Sequence, residues 1–153
     1  MTGADSRTAT GAPEDDGSRH VRFADTDQQG VVYYGTYFEY LDEAAMDAWD
    51  RIGYGYDRRR EAGWTTHIVH AEMDYAAPVS YGDELRDVAR FDRIGETSFT
   101  MSYEAVDAAS GERVASGEAV YATVDIETDE SVPAPDDFRE SIAAHDGNDL
   151  EMH

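Results

Sequence analysis

Apolar residues first fall into a clear period between residues 35 and 53, GTYFEYLDEAAMDAWDRIG. Tyr37, Leu41, Ala44, Ala45, Ala48, Trp49 and Ile52 recur at three- and four-residue steps, while Asp42, Glu43, Asp47 and Asp50 fill the opposite side. This spacing predicts a long amphipathic helix that stops at Gly53. Residues 56–62, YDRRREA, can add a further turn or two of helix. From Trp64 the period shortens to two, which predicts strands at about 64–76, 83–94, 97–108 and 112–127. Turn signals separate them at Pro78–Gly82, Gly95 and Ser110-Gly111. Such short connections require antiparallel neighbours. A shorter alternation in 19–26, with Val21 and Phe23 on one side, predicts a first strand ahead of the helix. The order is therefore strand, long helix, four antiparallel strands: an α+β domain over residues 19–128. One helix covers one face of such a sheet, so the other face needs a partner, and a second copy of the chain can supply it.

Both ends fall outside this pattern. Residues 1–18 are Gly, Ala, Ser, Thr and acid without periodicity and read as a flexible acidic arm. Residues 129–153 carry Pro133, Pro135 and many acids and read as an acidic tail with at most a short terminal helix. Leu, Ile, Val and Phe together supply only 24 of the 153 residues, a poverty that would suggest disorder. Twenty-one Ala, 10 Tyr and 2 Trp provide the apolar burial that this count misses.

The net charge is −22, every one of the 12 cations is Arg, and Lys is absent. Nucleic acid as a partner is excluded, because a polyanion needs a basic footprint. No run approaches the roughly 18 apolar residues of a membrane span. No secretory signal is visible and Cys is absent, so a cytoplasmic protein without disulfides or thiol chemistry is expected. The middle of the chain, residues 19–128, still carries a net −12, so the acidity is not confined to the ends. Abundant Asp, absent Lys and small apolar residues look like adaptation to a salt-saturated cytoplasm, as in halophilic archaea.

The densest cluster of candidate chemistry is Asp25-Thr26-Asp27-Gln28-Gln29-Gly30-Val31-Val32-Tyr33-Tyr34-Gly35, just ahead of the long helix. Unpaired backbone N–H groups and the positive end of the helix dipole meet at that start and suit a carbonyl oxygen or an anion. Gly30 can fold a preceding carboxylate back to face them, as acyl-group chemistry requires. Two other readings stand beside this one. Asp25, Asp27, Gln29 and Gly30 imitate the first half of a calcium loop, although Thr36 stands where the bidentate Glu belongs. Asp and Gly also serve simple turn chemistry.

Residues 20–53 resemble the opening of the hotdog-fold thioesterases of the 4-hydroxybenzoyl-CoA thioesterase type. That family shows Asp-x-Asp-x-x-Gly-(Ile/Val)-Val-(Tyr/Trp)-(His/Tyr) before a long helix. Asp74-Tyr75-Ala76-Ala77-Pro78 and Gly82-Asp83-Glu84-Leu85 resemble its second-strand ending and the turn into the third strand. The likeness spans residues 19–128. It implies a hotdog fold, with a curved antiparallel sheet around one long central helix, paired into homodimers or homotetramers. It implies acyl-CoA thioesterase activity, releasing free acid and CoA, with no metal and no cofactor beyond the CoA of the substrate. The catalytic carboxylate falls on Asp27 and the carbonyl-polarising N–H on Tyr34, with Asp25 bracing the loop. Gly30, Val31, Val32 and Tyr33 fall on substrate-binding positions. Many relatives have Tyr and His where this chain has Phe23 and Tyr34. Basic residues near the turn between the third and fourth strands often hold the CoA phosphates; here that turn reads Arg93-Ile94-Gly95-Glu96, and only Arg93 remains.

Other candidates carry less. His67 and His70 lie three apart in a strand and point to opposite faces, which does not make a chelating pair. Arg58-Arg59-Arg60 is the only basic run, a solvated face or a phosphate contact. No serine lies in a G-x-S-x-G elbow. The rival functions are a hotdog hydratase or dehydratase, which would need His67 or His70, and an acyl-binding scaffold without turnover.

Overall fold

A computed structural model describes residues 18–146 and 151–152. The 1–18 arm lies outside these residues apart from Ser18, which opens β1. The elements are β1 (Ser18–His20), α1 (Thr36–Arg51), α2 (Tyr56–Ala62), β2 (Trp64–Tyr75), β3 (Glu84–Ile94), β4 (Ser98–Asp107), β5 (Arg113–Asp125), α3 (Asp136–Asp146) and β6 (Glu151–Met152). The strands form one sheet in the order β1-β3-β4-β5-β2, and β6 pairs in parallel with β3. β1 runs antiparallel to β3, with Arg19 opposite Leu85. β5 and β2 are antiparallel as well, since Ile126 N–H reaches Gly63 O at one end and Ala76 N–H reaches Val114 O at the other. The fold class is α+β, as the periodicity predicts.

All seven apolar positions named for the helix are buried, and the four acids opposite them are exposed. The helix ends where expected: Gly53 takes φ +75°, which L side chains rarely adopt, and its N–H bonds back to Asp50 O. The described residues form two compact units, to which α1 and the long strands β2–β5 each contribute. One comprises 18–44, 73–89 and 103–117, and its core includes Val21, Leu41, Val79, Leu85, Ala105 and Val114. The other comprises 45–72, 90–102, 118–146 and 151–152 and is built on aromatic rings. There Trp49 stacks on Phe138 at 5.1 Å and meets Phe91 and Phe99 edge-on at 5.3 and 5.5 Å. Large rings and many alanines together fill a core that has few aliphatic side chains.

Two expectations need correction. The alternation in 19–26 yields only the three-residue β1, followed by a 3-10 turn at Phe23–Asp25. Asp25 accepts the Arg22 N–H at 3.0 Å, so a side chain competes for the backbone and ends the strand. Phe23 consequently turns outward, 78% exposed, with its ring edge-on to Tyr81. At the other end, residues 129–146 of the expected tail are more than a tail, while 147–150 and 153 lie outside the described residues. α3 runs for 11 residues, and Phe138 and Ile142, four apart, are fully buried. Asp136 and Asp137 open this helix, where its dipole favours negative charge. Asp137 also accepts from Tyr54 Oη and the Arg58 guanidinium. Two of the acids that made the segment look solvated thus lie at the helix start.

Candidate active site

The loop between the 3-10 turn and α1 is a tight hairpin. Thr26 and Val32 bridge across it, Asp27 N–H bonds to Val31 O, and Gly30 N–H returns to Asp27 O at 2.9 Å. Gly30 closes it at φ +83°. Val32 N–H reaches Val79 O, and Val31 bridges to Ser80, which fixes the far arm.

The two aspartates of the loop have opposite surroundings. Asp27 is half-buried, and its Oδ1 accepts Gln29 N–H at 2.9 Å and Val31 N–H at 3.4 Å. Among the described residues no donor holds Oδ2. Asp25 is 2% exposed and fully engaged. Its carboxylate accepts from Arg22 Nη2 at 2.8 Å, Arg22 Nε at 3.3 Å, Arg22 N–H at 3.0 Å and Tyr40 Oη at 2.9 Å. Burial pushes its pKa up, but the Arg22 and Tyr40 donors outweigh it and hold the group below the usual carboxylate value. Its carbonyl accepts Tyr33 N–H at 3.0 Å and Thr36 Oγ1 at 3.2 Å. Asp25 therefore ties the loop to the start of α1, the bracing role that the resemblance implied.

Tyr34 stands two residues before the first helical residue, Thr36. Thr36 N–H bonds to Tyr33 O and Phe38 N–H to Gly35 O. Among the described residues, neither Tyr34 nor Gly35 gives its N–H to a backbone carbonyl. Four tyrosines surround this point. Tyr33 and Tyr34 lie 4.6 Å apart, Tyr75 Oη donates to Tyr34 O at 2.9 Å, and Tyr37 meets the Tyr75 ring at 5.6 Å. Tyr33, Tyr34 and Tyr75 are exposed, whereas the buried Tyr37 hydroxyl has no hydrogen-bond partner. Burial first, then the neighbouring Tyr75 and Asp87, push the Tyr37 phenol up to about 12.

A second polar cluster, which the sequence pattern did not single out, adjoins the loop. Asp87 is buried on β3 and accepts from Arg19 Nε at 3.0 Å and Tyr103 Oη at 2.6 Å. Burial raises the Asp87 carboxyl, and Arg19 and Tyr103 offset this only in part. Arg19 also pairs with Glu43 at 2.6 Å and lies over the Tyr40 ring at 4.3 Å. The available signal was parity: Asp87 falls between Leu85 and Ala89 on the inward register of β3. Tyr40, three residues after Tyr37 and four before Ala44, sits at the edge of the apolar stripe of α1, where a tyrosine reads as packing and its hydroxyl gives no signal of a partner in the loop.

Of the sequence-predicted site residues, Asp27, Gly30, Val31, Val32, Tyr33 and Tyr34 lie together on this loop. Arg93 belongs to the other unit, where its guanidinium meets Asp92 at 3.2 Å and Glu118 at 3.0 Å. A phosphate there would compete with two carboxylates. His67 pairs with Asp129 and His70 with Glu72, all on exposed positions. One ligand atom each of His70, Glu72 and Glu118 lies within 4.8 Å of the others, with Glu118 already bonded to Arg93. In the arginine run, Arg58 bonds to Asp137 and Arg59 stacks over Trp49 at 4.1 Å. No helix among the described residues is long and apolar enough to cross a membrane.

Residues 21–142 match the thioesterase-like superfamily. The chain belongs to that superfamily. It is 31% identical over 127 residues to a 1,4-dihydroxy-2-naphthoyl-CoA hydrolase of Thermosynechococcus vestitus, covering 81% of this chain and 85% of that one. A hydrolase of the same name from Synechococcus is 29% identical over 133 residues, 83% and 88% of the two chains. Among solved structures, a 1,4-dihydroxy-2-naphthoyl-CoA thioesterase from Synechocystis superposes with a TM-score of 0.76 at 25% identity, over 84% of this chain and 95% of that one. The hotdog fold implied by the sequence is the fold of these superfamily neighbours, and the α+β arrangement here agrees with it. The relatives named here are CoA thioester hydrolases, and this chain belongs to their superfamily.

Proposed function

We propose that the chain is an acyl-CoA thioesterase whose catalytic carboxylate is Asp27. The observation that carries this reading is the hairpin itself. It holds one oxygen of Asp27 by two backbone N–H groups, leaves the other unheld, and leads directly to N–H groups of Tyr34 and Gly35 without backbone acceptors. A thioester carbonyl polarised by the Tyr34 N–H at the helix start would develop its negative charge against fixed donors. Asp27 then acts in one of two ways. Its Oδ2 attacks the carbonyl carbon, the C–S bond breaks, CoA leaves as thiolate, and water hydrolyses the acyl-aspartyl anhydride. Alternatively the carboxylate takes a proton from water, whose oxygen attacks the same carbon. Either route gives free acid and CoA. Single turnover in 18O-labelled water marks direct attack when water adds at the Asp27 carbon of the anhydride and labels that carboxylate; hydroxylamine capture of the acyl-enzyme marks it whichever carbon water adds to.

We infer an aromatic acyl group as the preferred substrate class. Two relatives are named for a dihydroxynaphthoyl thioester, and Tyr33, Tyr34 and Tyr75 present exposed rings beside the helix start. Such faces suit a planar ring better than an alkyl chain. Thiol release should therefore be faster from aroyl-CoA than from alkyl-CoA of similar size.

Asp27→Asn keeps the shape and removes the charge. Turnover should fall at least about a hundredfold, roughly 2.7 kcal/mol on the barrier, with folding little changed. Near wild-type turnover in this variant would remove Asp27 from the mechanism.

A further inference from the structure

We propose that Tyr40 is a positioning residue for this reaction, acting through Asp25 on the loop that carries Asp27; the proposal rests on the assignment of Asp27 above. Tyr40 lies one helical turn beyond Thr36, is 3% exposed, and gives its hydroxyl to Asp25 Oδ2 at 2.9 Å. Its ring is fixed on two sides, by the Arg19 guanidinium at 4.3 Å and by the Tyr37 ring edge-on at 5.5 Å. Arg19 is itself anchored to the buried Asp87 on β3 and to Glu43 on α1. The Tyr40 hydroxyl is therefore a fixed point on the helix.

Asp25 transmits that position to the loop. Its carboxylate takes the hydroxyl, and its carbonyl holds Tyr33 N–H and Thr36 Oγ1 on the other side of the hairpin. Asp27 is two residues further on, so its carboxylate is placed relative to the helix start by the same residue that α1 holds twice. An arrangement of this kind costs little to substrate binding when loosened and much to the chemical step, because reacting groups tolerate about 1 Å of misplacement poorly. Arg22, the other partner of Asp25, is exposed and three residues away in sequence, so it neutralises Asp25 without tying it to the helix.

The test compares Tyr40→Phe with Tyr103→Phe. Each removes one buried hydroxyl from one buried carboxylate in the same unit, but the Tyr103 hydroxyl serves Asp87 and not the loop. Kinetics on an aroyl-CoA should show kcat about tenfold lower for Tyr40→Phe with KM within twofold of wild type. Tyr103→Phe should lower kcat by no more than about twofold at a comparable loss of melting temperature, because Asp87 keeps its pairing with Arg19 and the Tyr40 hydroxyl keeps its bond to Asp25. Thr36→Val, which removes the second tether without changing shape, should lower kcat in the same direction by a smaller factor, and it serves in place of Tyr40→Phe if that variant does not fold. Equal losses of kcat in Tyr40→Phe and Tyr103→Phe would overturn the proposal, since a general loss of stability would explain both. Wild-type kcat in Tyr40→Phe with an inactive Asp27→Asn overturns the positioning role alone. Wild-type turnover in Asp27→Asn overturns the assignment of Asp27 and the role of Tyr40 with it.

Discussion

Asp25 and Asp27 carry the same side chain two positions apart, and only the donors around them make one structural and the other available for chemistry. For Asp25 this has a consequence in stability. Burial alone would raise its pKa, but Arg22 and Tyr40 lower it below the ordinary value of 3.8. A carboxyl with a depressed folded-state pKa stabilises the fold above its unfolded pKa, and that stability is lost as pH falls toward the folded value. Asp25→Asn should therefore cost about 2 kcal/mol at pH 7, the scale of hydrogen bonds to a charged group, and the gap from wild type should narrow below about pH 4. Urea denaturation at pH 7 and pH 3 reads both points; a gap that stays constant would show that the Asp25 charge is not what holds the loop. Gly30 offers a separate check. A Cβ at this position would meet nothing within 4 Å, so Gly30→Ala tests conformation and not space. At φ +83° it should cost about 1–2 kcal/mol and lower turnover by shifting Asp27.

Helices and strands recover their sequence pattern unevenly, for physical reasons. α1 was legible because seven apolar positions and four acids separate cleanly around it, and β3–β5 because short turns and alternation agree. β1 was overread, since the alternation of Val21 and Phe23 cannot reveal that Asp25 will capture a backbone N–H. α3 was underread, because an acid-rich segment with two buried residues four apart has the composition of a solvated tail. Its packing gives a direct test. Phe138 meets Trp64 at 5.0 Å and stacks on Trp49, so Phe138→Ala should destabilise by about 3–5 kcal/mol in thermal or chemical melts. A cost under about 1 kcal/mol would return residues 129–146 to the status of a tail. At the site, the motif made Asp27 and Tyr34 legible, whereas Tyr40 and Asp87 became visible only when helix and strand registers were known. β2 ends the sheet order, and its residues 67–72 are all exposed, Ile68 and Val69 among them. Among the described residues no strand covers this edge of β2, and such an edge is a template for another strand. We infer that two copies pair along it, and light scattering should give at least twice 17.0 kDa. A fully active monomer would overturn that pairing.

Net charge acts on the molecule as a whole. Residues 19–128 contain 10 arginines and 22 carboxylates, so pairing every arginine would still leave most of the acids without a cation. Several arginines are already committed: Arg19 to Asp87 and Glu43, Arg22 to Asp25, and Arg93 to Asp92 and Glu118. Folding concentrates the remaining like charges that an expanded chain spreads apart, and this self-repulsion weakens the compact state. Raising KCl from about 0.1 M to 1 M shortens the screening length from roughly 10 Å to 3 Å and removes most of it. Buried pairs such as Arg19–Asp87 are shielded from that salt and should keep their contribution. The melting temperature should therefore rise across this range, as adaptation to a salt-rich cytoplasm requires. Chloride and sulfate salts at matched ionic strength separate screening from the general strengthening of apolar burial, because sulfate adds the second effect to the first. Equal gains in the two salts would assign the rise to screening. A melting temperature that stays flat in KCl would show that the surface charge costs this fold nothing, and the inference of salt adaptation would fail with it.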